Sequence, residues 1–128
     1  MSSENLGNYR LIDRLGAGGM GEVWRAEDTR LQRLVAIKIL SERIANDPEW
    51  KARFLREART IAQLNHPNIA TIYSIEQESD KLFIAMELVE GESLATVMSR
   101  GALPPAEAVK IFKQVAEALA EAHDKGIV

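Results

Sequence analysis

Glycines at 16, 18 and 21 lie between two strand-like runs, and a third such run, Val35-Ala36-Ile37-Lys38, follows and carries a lysine. No other feature constrains the chain as much. Lacking side chains, these glycines let a backbone approach a bulky anion, and their freedom at positive φ turns successive N–H groups toward phosphate oxygens. The same spacing also occurs in plain turns, so the residues after the loop decide its kind. Glu22-Val23-Trp24-Arg25-Ala26-Glu27 alternates polar and apolar, the period of a strand.

That excludes two familiar loops. A dinucleotide-binding loop opens a helix and meets a ribose-binding acid about 20 residues on, a position that here falls in Ile37-Lys38-Ile39-Leu40. A Walker-type loop needs lysine and a hydroxyl residue after its last glycine, and Gly21-Glu22 supplies neither. The 128 residues amount to one domain, 46% apolar and 27% charged. Sixteen basic against nineteen acidic residues give a net charge of −3, which leaves no nucleic-acid footprint. With no cysteine there is no disulfide, thiol nucleophile or cysteine-based zinc site. No apolar run approaches the roughly 18 residues of a membrane span and no secretory segment opens the chain, so the expected compartment is the cytoplasm.

Read in order, residues 1–8 are small and polar and are expected to form a loose tail. Strands are expected over Tyr9 to Leu15, Glu22 to Asp28, Leu34 to Leu40, Ala70 to Gln77 and Lys81 to Leu88, the last two joined by Glu78-Ser79-Asp80. Period-2 geometry puts Ala36, Lys38 and Leu40 on one face of the third strand and Val35, Ile37 and Ile39 on the other. Lys38 alone reads equally as a lysine snorkelling at a strand edge. Asp47 and Pro48 form a helix start, N-cap then first residue. The helix's apolar stripe, Trp50, Phe54, Ile61 and Leu64, is continuous only if position 57 belongs to it, and position 57 is Glu57. A carboxylate there calls for a cation: Lys38 across the fold, or its neighbours Arg53 or Arg56. His66, before Pro67, reads as a turn or capping residue. A short helix is expected over Glu92 to Ser99. A longer one opens at Pro104-Pro105 and runs toward Asp124, with Gly126 as its stop and an apolar stripe of Ala108, Ile111, Phe112, Val115, Leu119 and Ala122.

From Tyr9 onward the chain resembles the eukaryotic-like serine/threonine protein kinases of bacteria. The resemblance rests on the glycine loop with Val23, on Val35-Ala36-Ile37-Lys38, on Glu57, on His66-Pro67-Asn68-Ile69, and on Met86-Glu87-Leu88-Val89-Glu90-Gly91-Glu92-Ser93-Leu94. The closing Ala122-His123-Asp124-Lys125-Gly126-Ile127-Val128 is similar to the segment before that family's catalytic loop. The implied fold is α+β: a five-stranded antiparallel sheet with one packed regulatory helix over 9–88, then a hinge and two helices of an incomplete second lobe over 89–128. The resemblance implies that ATP is the cofactor, with Gly16, Ala17, Gly18, Gly19, Met20 and Gly21 over its phosphates and Met20 at the tip. Lys38 would hold the α- and β-phosphates and Glu57 would fix Lys38. Leu15, Val23 and Ala36 would roof the adenine, Met86 would back it, Glu87 and Val89 would pair with its edge, and Ser93 would reach the ribose. Ile61 and Ile72 would join an apolar column tying helix to sheet.

The same resemblance implies Mg2+, whose ligands in the family lie in motifs that do not occur among these 128 residues, as the catalytic aspartate does not. The expectation is therefore the ATP-binding part of a kinase, inactive alone, with a protein substrate as the parent's partner. The competing reading is a non-catalytic interaction module. In either case the apolar stripe of the last helix predicts self-association or poor solubility.

Overall fold

A computed structural model describes residues 4–19, 21–78 and 80–127; Met20, Ser79, Val128 and residues 1–3 of the expected tail lie outside them. Strands β1 (Asn5–Leu6), β2 (Tyr9–Gly18), β3 (Gly21–Asp28) and β4 (Arg33–Leu40) precede two helices, α1 (Glu42–Ala45) and α2 (Pro48–Ala62). Strands β5 (Ile72–Glu78) and β6 (Lys81–Met86) then complete the sheet, and α3 (Leu94–Met98) and α4 (Pro105–Asp124) follow. The sheet is antiparallel, in the order β1-β2-β3-β4-β6-β5. It has six strands rather than the expected five. The sixth is made by residues expected as tail: Asn5 and Leu6 pair with Arg10 and Tyr9, and Leu6 is buried.

Alternation sorts the sheet's faces as expected. Val35, Ile37 and Ile39 of β4 join Tyr9, Leu11, Ala26, Phe83 and Ala85 in one apolar core, whose centre is an edge-on contact between Tyr9 and Phe83 with ring centroids 5.9 Å apart. Ala36 and Lys38 take the opposite face, Ala36 between Arg25 and Met86, Lys38 between Val23 and Ile84.

The sheet curls until its two margins meet. The Tyr9 hydroxyl of β2 lies 3.2 Å from Ser74 Oγ of β5, and Lys81 reaches Glu4 at 3.3 Å. Burial, above all, pushes the Tyr9 hydroxyl pKa above its ordinary value, against the opposing pull of the Ser74 hydrogen bond. The turn from β3 to β4 is held by Asp28, whose Oδ1 accepts from the backbone N–H groups of Arg30 and Leu31 and from Asn8 Nδ2. Those three donors account for the burial of that carboxylate.

Helix α2 starts as the sequence indicates, with Asp47 Oδ1 accepting from the N–H groups of Glu49 and Trp50 and Pro48 as its first residue. Helix α4 runs Pro105–Asp124, and Gly126 takes φ +80° just beyond it. Asn68 Nδ2 donates to the Gln114 carbonyl at 3.2 Å, tying the loop after α2 to α4. Among the described residues no helix is long and apolar enough to cross a membrane.

Candidate functional site

The glycine loop is the tip of the β2–β3 hairpin, where Gly16 pairs with Val23, Ala17 with Glu22 and Gly18 with Gly21. Its glycines do different work. A Cβ added at Gly16, Gly18 or Gly19 would meet nothing within 4 Å, so at these positions the backbone faces open space. Gly21 has φ +139°, and a Cβ there would stand 1.9 Å from the Ile39 carbonyl oxygen of β4. The third glycine is thus required by close strand approach, and the first two leave room for a ligand.

Register carries the loop's face onto the neighbouring strands. Val23 opposes Lys38, and Arg25 opposes Ala36, which in turn opposes Met86. Directly opposed residues share a face, so Val23, Ala36, Lys38 and Met86 line one surface beneath the loop. Ala36 is buried, and Leu15 and Val89 at the mouth are half-exposed and exposed. Lys38 makes no ion pair within 4 Å among the described residues. It is a cation with an open coordination shell, behind an open glycine loop.

Glu57 does not meet it. Its carboxylate lies 3.7 Å from Arg53 Nε, and both side chains are 67% exposed. The cation opposite Glu57 is therefore the helical neighbour, not the strand lysine. The cause is the phase of α2. Ala58 is buried and Leu55 partly buried beside Phe54, Ile61 and Leu64 of the expected stripe, whereas Trp50 is 52% exposed and Glu57 is exposed. The packing face thus keeps Phe54, Ile61 and Leu64 but turns toward Ala58, which leaves Trp50 and Glu57 outside it. Trp50, Phe54, Arg53 and Glu57 instead border a cavity of about 250 Å³ with Ile44 of α1.

The segment after β6 is anchored by contacts that no local pattern announces. Glu87 N–H donates to the Thr71 carbonyl at 2.8 Å, and its carboxylate accepts from Thr71 N–H at 3.0 Å. Ser93, expected to reach a ribose, is the N-cap of α3, accepting from Thr96 N–H at 3.1 Å. His66 is a turn residue, its Nδ1 accepting from Asn68 N–H.

Sequence reading also missed an ion pair on the loop's own hairpin. Arg25 Nε and Nη2 donate to the two Asp13 oxygens at 2.8 and 3.0 Å. The Arg25 hydrogen bond holds the Asp13 carboxyl below its usual range, and Asp13 raises Arg25 in return, with a further push from the charge of Glu90. Opposite charges at Asp13 and Arg25 were visible in the sequence, but their pairing depends on a strand register that was not.

The described residues hold no group of three or more His, Asp or Glu able to take a metal ion. They fit a phosphate ligand on the open loop and the free lysine, and do not by themselves fit a magnesium site.

A family model for the protein kinase domain matches residues 9–128. The chain is 46% identical over 123 residues to the serine/threonine-protein kinase PrkC of Bacillus subtilis, an alignment covering 95% of this chain and 19% of that protein. It is 43% identical over 128 residues to PknA of Mycobacterium tuberculosis, covering 95% and 30%. The crystal structure of the M. tuberculosis PknI kinase domain superposes with a TM-score of 0.86 at 32% identity, covering 98% of this chain and 51% of that one. The chain thus spans about half of that solved kinase domain and a smaller share of the two full-length relatives.

Proposed function

Because the chain belongs to the protein kinase domain family, with the α+β architecture of that family's nucleotide lobe, we propose that it holds ATP for phosphoryl transfer to serine or threonine hydroxyls of a protein substrate. The observation that carries this reading is Lys38. It is a cation without a protein partner among the described residues, on the same sheet face as Val23 and Ala36 and beneath an open glycine loop.

The backbone N–H groups of Gly16 to Gly19 cover the phosphates, and Lys38 Nζ neutralises charge on the α- and β-phosphate oxygens. This is the electrostatic task that dominates phosphoryl transfer. Leu15, Val23 and Ala36 cover the adenine and exclude water from it, with Met86 behind. The Glu87 carbonyl and Val89 N–H bind the adenine edge, and the Thr71 contacts hold Glu87 for that purpose. In the nucleotide-bound form Glu57 leaves Arg53 and orients Lys38. An exposed pair three to four residues apart is worth only about 0.3–0.5 kcal/mol, so the exchange costs little. ATP would supply the transferred phosphoryl group, and the described residues offer Mg2+ no site of their own. The 128 residues alone are accordingly expected to bind nucleotide and not to catalyse, and ATP supply places their work in the cytoplasm.

Titration with Mg-ATP, followed by backbone amide NMR, tests the reading. Shifts are expected at Gly16–Val23, Lys38 and Glu87–Gly91, and Lys38→Met should weaken affinity at least about tenfold, or about 1.4 kcal/mol. Equal affinity in that variant would refute the phosphate role.

A second reading, as an assembly module, is favoured by α4 alone, where Val109, Phe112 and Leu119 are 68%, 71% and 51% exposed. An apolar face of this extent associates in water. Light scattering is expected to report dimers or larger species, and a monomer at every concentration would remove this reading.

A further inference from the structure

The β2–β3 hairpin is built in two pieces. Its base pairs regularly, Tyr9 with Asp28 through Leu11 with Ala26, and its tip pairs regularly from Gly16–Val23 to Gly18–Gly21. Between them the register slips twice, leaving Ile12 and Leu15 as extra residues on β2, half-exposed at 42% and 49%. A β-bulge bends and twists its strand and interrupts the ladder, so two bulges within four residues make a flexible joint. Only Asp13–Arg25 and Arg14–Trp24 are paired inside it. The Asp13–Arg25 side chains meet in a two-pronged contact at 2.8 and 3.0 Å, on the face that carries Val23, Ala36 and Lys38. A planar guanidinium fork on a carboxylate fixes direction as well as distance.

We propose that Asp13 and Arg25 are positioning residues, a pin that sets the angle at which the glycine loop stands over the nucleotide face. The base is held to the core by Tyr9, Leu11 and Ala26, and by Arg10–Glu27 at 2.9 Å on its surface. In the tip the β3 side is held to β4 from Gly21–Leu40 to Val23–Lys38, but the β2 side has no second neighbour: a Cβ at Gly16, Gly18 or Gly19 would meet nothing within 4 Å. The pin therefore decides how far the β2 side of the tip, Gly16 to Gly19, moves against the fixed β3 side, and Arg25 brings it under the charge of Glu90 in the segment after β6. This role rests on the ATP reading for its purpose, but not for its mechanics.

NMR relaxation on the nucleotide-free chain reads those mechanics directly. In Asp13→Asn, order parameters at Gly16, Gly18 and Gly19 should fall into the flexible range below about 0.6, while Tyr9 and Leu11 stay near about 0.85. The swap Asp13→Arg with Arg25→Asp should restore the loop values. Unchanged loop values, or an equal fall at Tyr9 and Leu11, would overturn the pin. The wild-type chain gives a check that needs no variant to fold. Raising salt from about 0.1 M to about 1 M shortens the screening length from about 10 Å to about 3 Å and should loosen the same glycines selectively; no response to salt would also overturn it. With Mg-ATP, Asp13→Asn should release nucleotide about three- to fivefold faster. Failure of the wild type to bind ATP would strike the function proposed above and leave the relaxation result standing.

Discussion

Gly21→Ala is expected to lower the free energy of unfolding by about 3 kcal/mol or more, whereas Gly16→Ala leaves it unchanged or raises it slightly. At position 21 the backbone has φ +139°, and the new Cβ would stand 1.9 Å from the Ile39 carbonyl oxygen. Neither strand can yield easily, since β3 and β4 are paired along their whole length from Gly21–Leu40 to Asp28–Arg33. Strained φ alone costs about 1–3 kcal/mol, and the forced separation of the strands adds to it. At position 16 a Cβ meets nothing within 4 Å, and the lost freedom of the unfolded chain favours folding by up to about 1 kcal/mol. Urea unfolding of the two variants beside the wild type decides the matter. A common midpoint for Gly21→Ala and wild type would mean that the strands do not approach as described.

The second large effect is in the core. Phe83→Ala should cost about 3–5 kcal/mol, a large part of the roughly 5–15 kcal/mol that stabilises a domain. Phe83 is 1% exposed, pairs across the sheet with Ile39 and Glu76, and packs edge-on against Tyr9. Removing the ring leaves a cavity that strands on both sides prevent from collapsing. Phe112→Ala is the natural control: at 71% exposure it should change stability by less than about 0.5 kcal/mol. Thermal unfolding should separate the two by many degrees. Equal losses would place Phe83 outside the core.

Much of the fold is written in short-range pattern. The alternation in Val35 to Leu40 already assigned Ile37 to the core and Lys38 to the opposite face. Asp47-Pro48 and Gly126 marked helix ends by local chemistry that does not depend on the rest of the chain. What the sequence concealed depends on partners remote in sequence. Asn5–Leu6 is too short for any periodicity and becomes a strand only because Tyr9 and Arg10 offer it an edge. At α2 the expected stripe holds at Phe54, Ile61 and Leu64 and fails at Trp50, whose bulk outweighs Ala58 in any count of apolar residues, although the small residue is the one that lets the helix approach. The Lys38–Glu57 pair was expected from chemistry that is reasonable for both residues, but a charged side chain on a helix can always turn to its neighbour four residues away. Ser93 shows the reverse: a hydroxyl with a plausible ligand role is taken up by the end of a five-residue helix. Bulges at Ile12 and Leu15, and with them the Asp13–Arg25 contact, belong to register, which alternation alone does not determine.

The meeting of the sheet's margins has a consequence for how this chain can join others. One margin ends in a two-residue strand laced to the opposite side through Tyr9–Ser74 and Glu4–Lys81. So short a strand as β1 offers an incoming chain no long row of free N–H and C=O groups to copy. Growth by strand addition, the route to fibres, is therefore disfavoured at that margin, whereas the exposed side chains of α4 offer contacts that dilution can reverse.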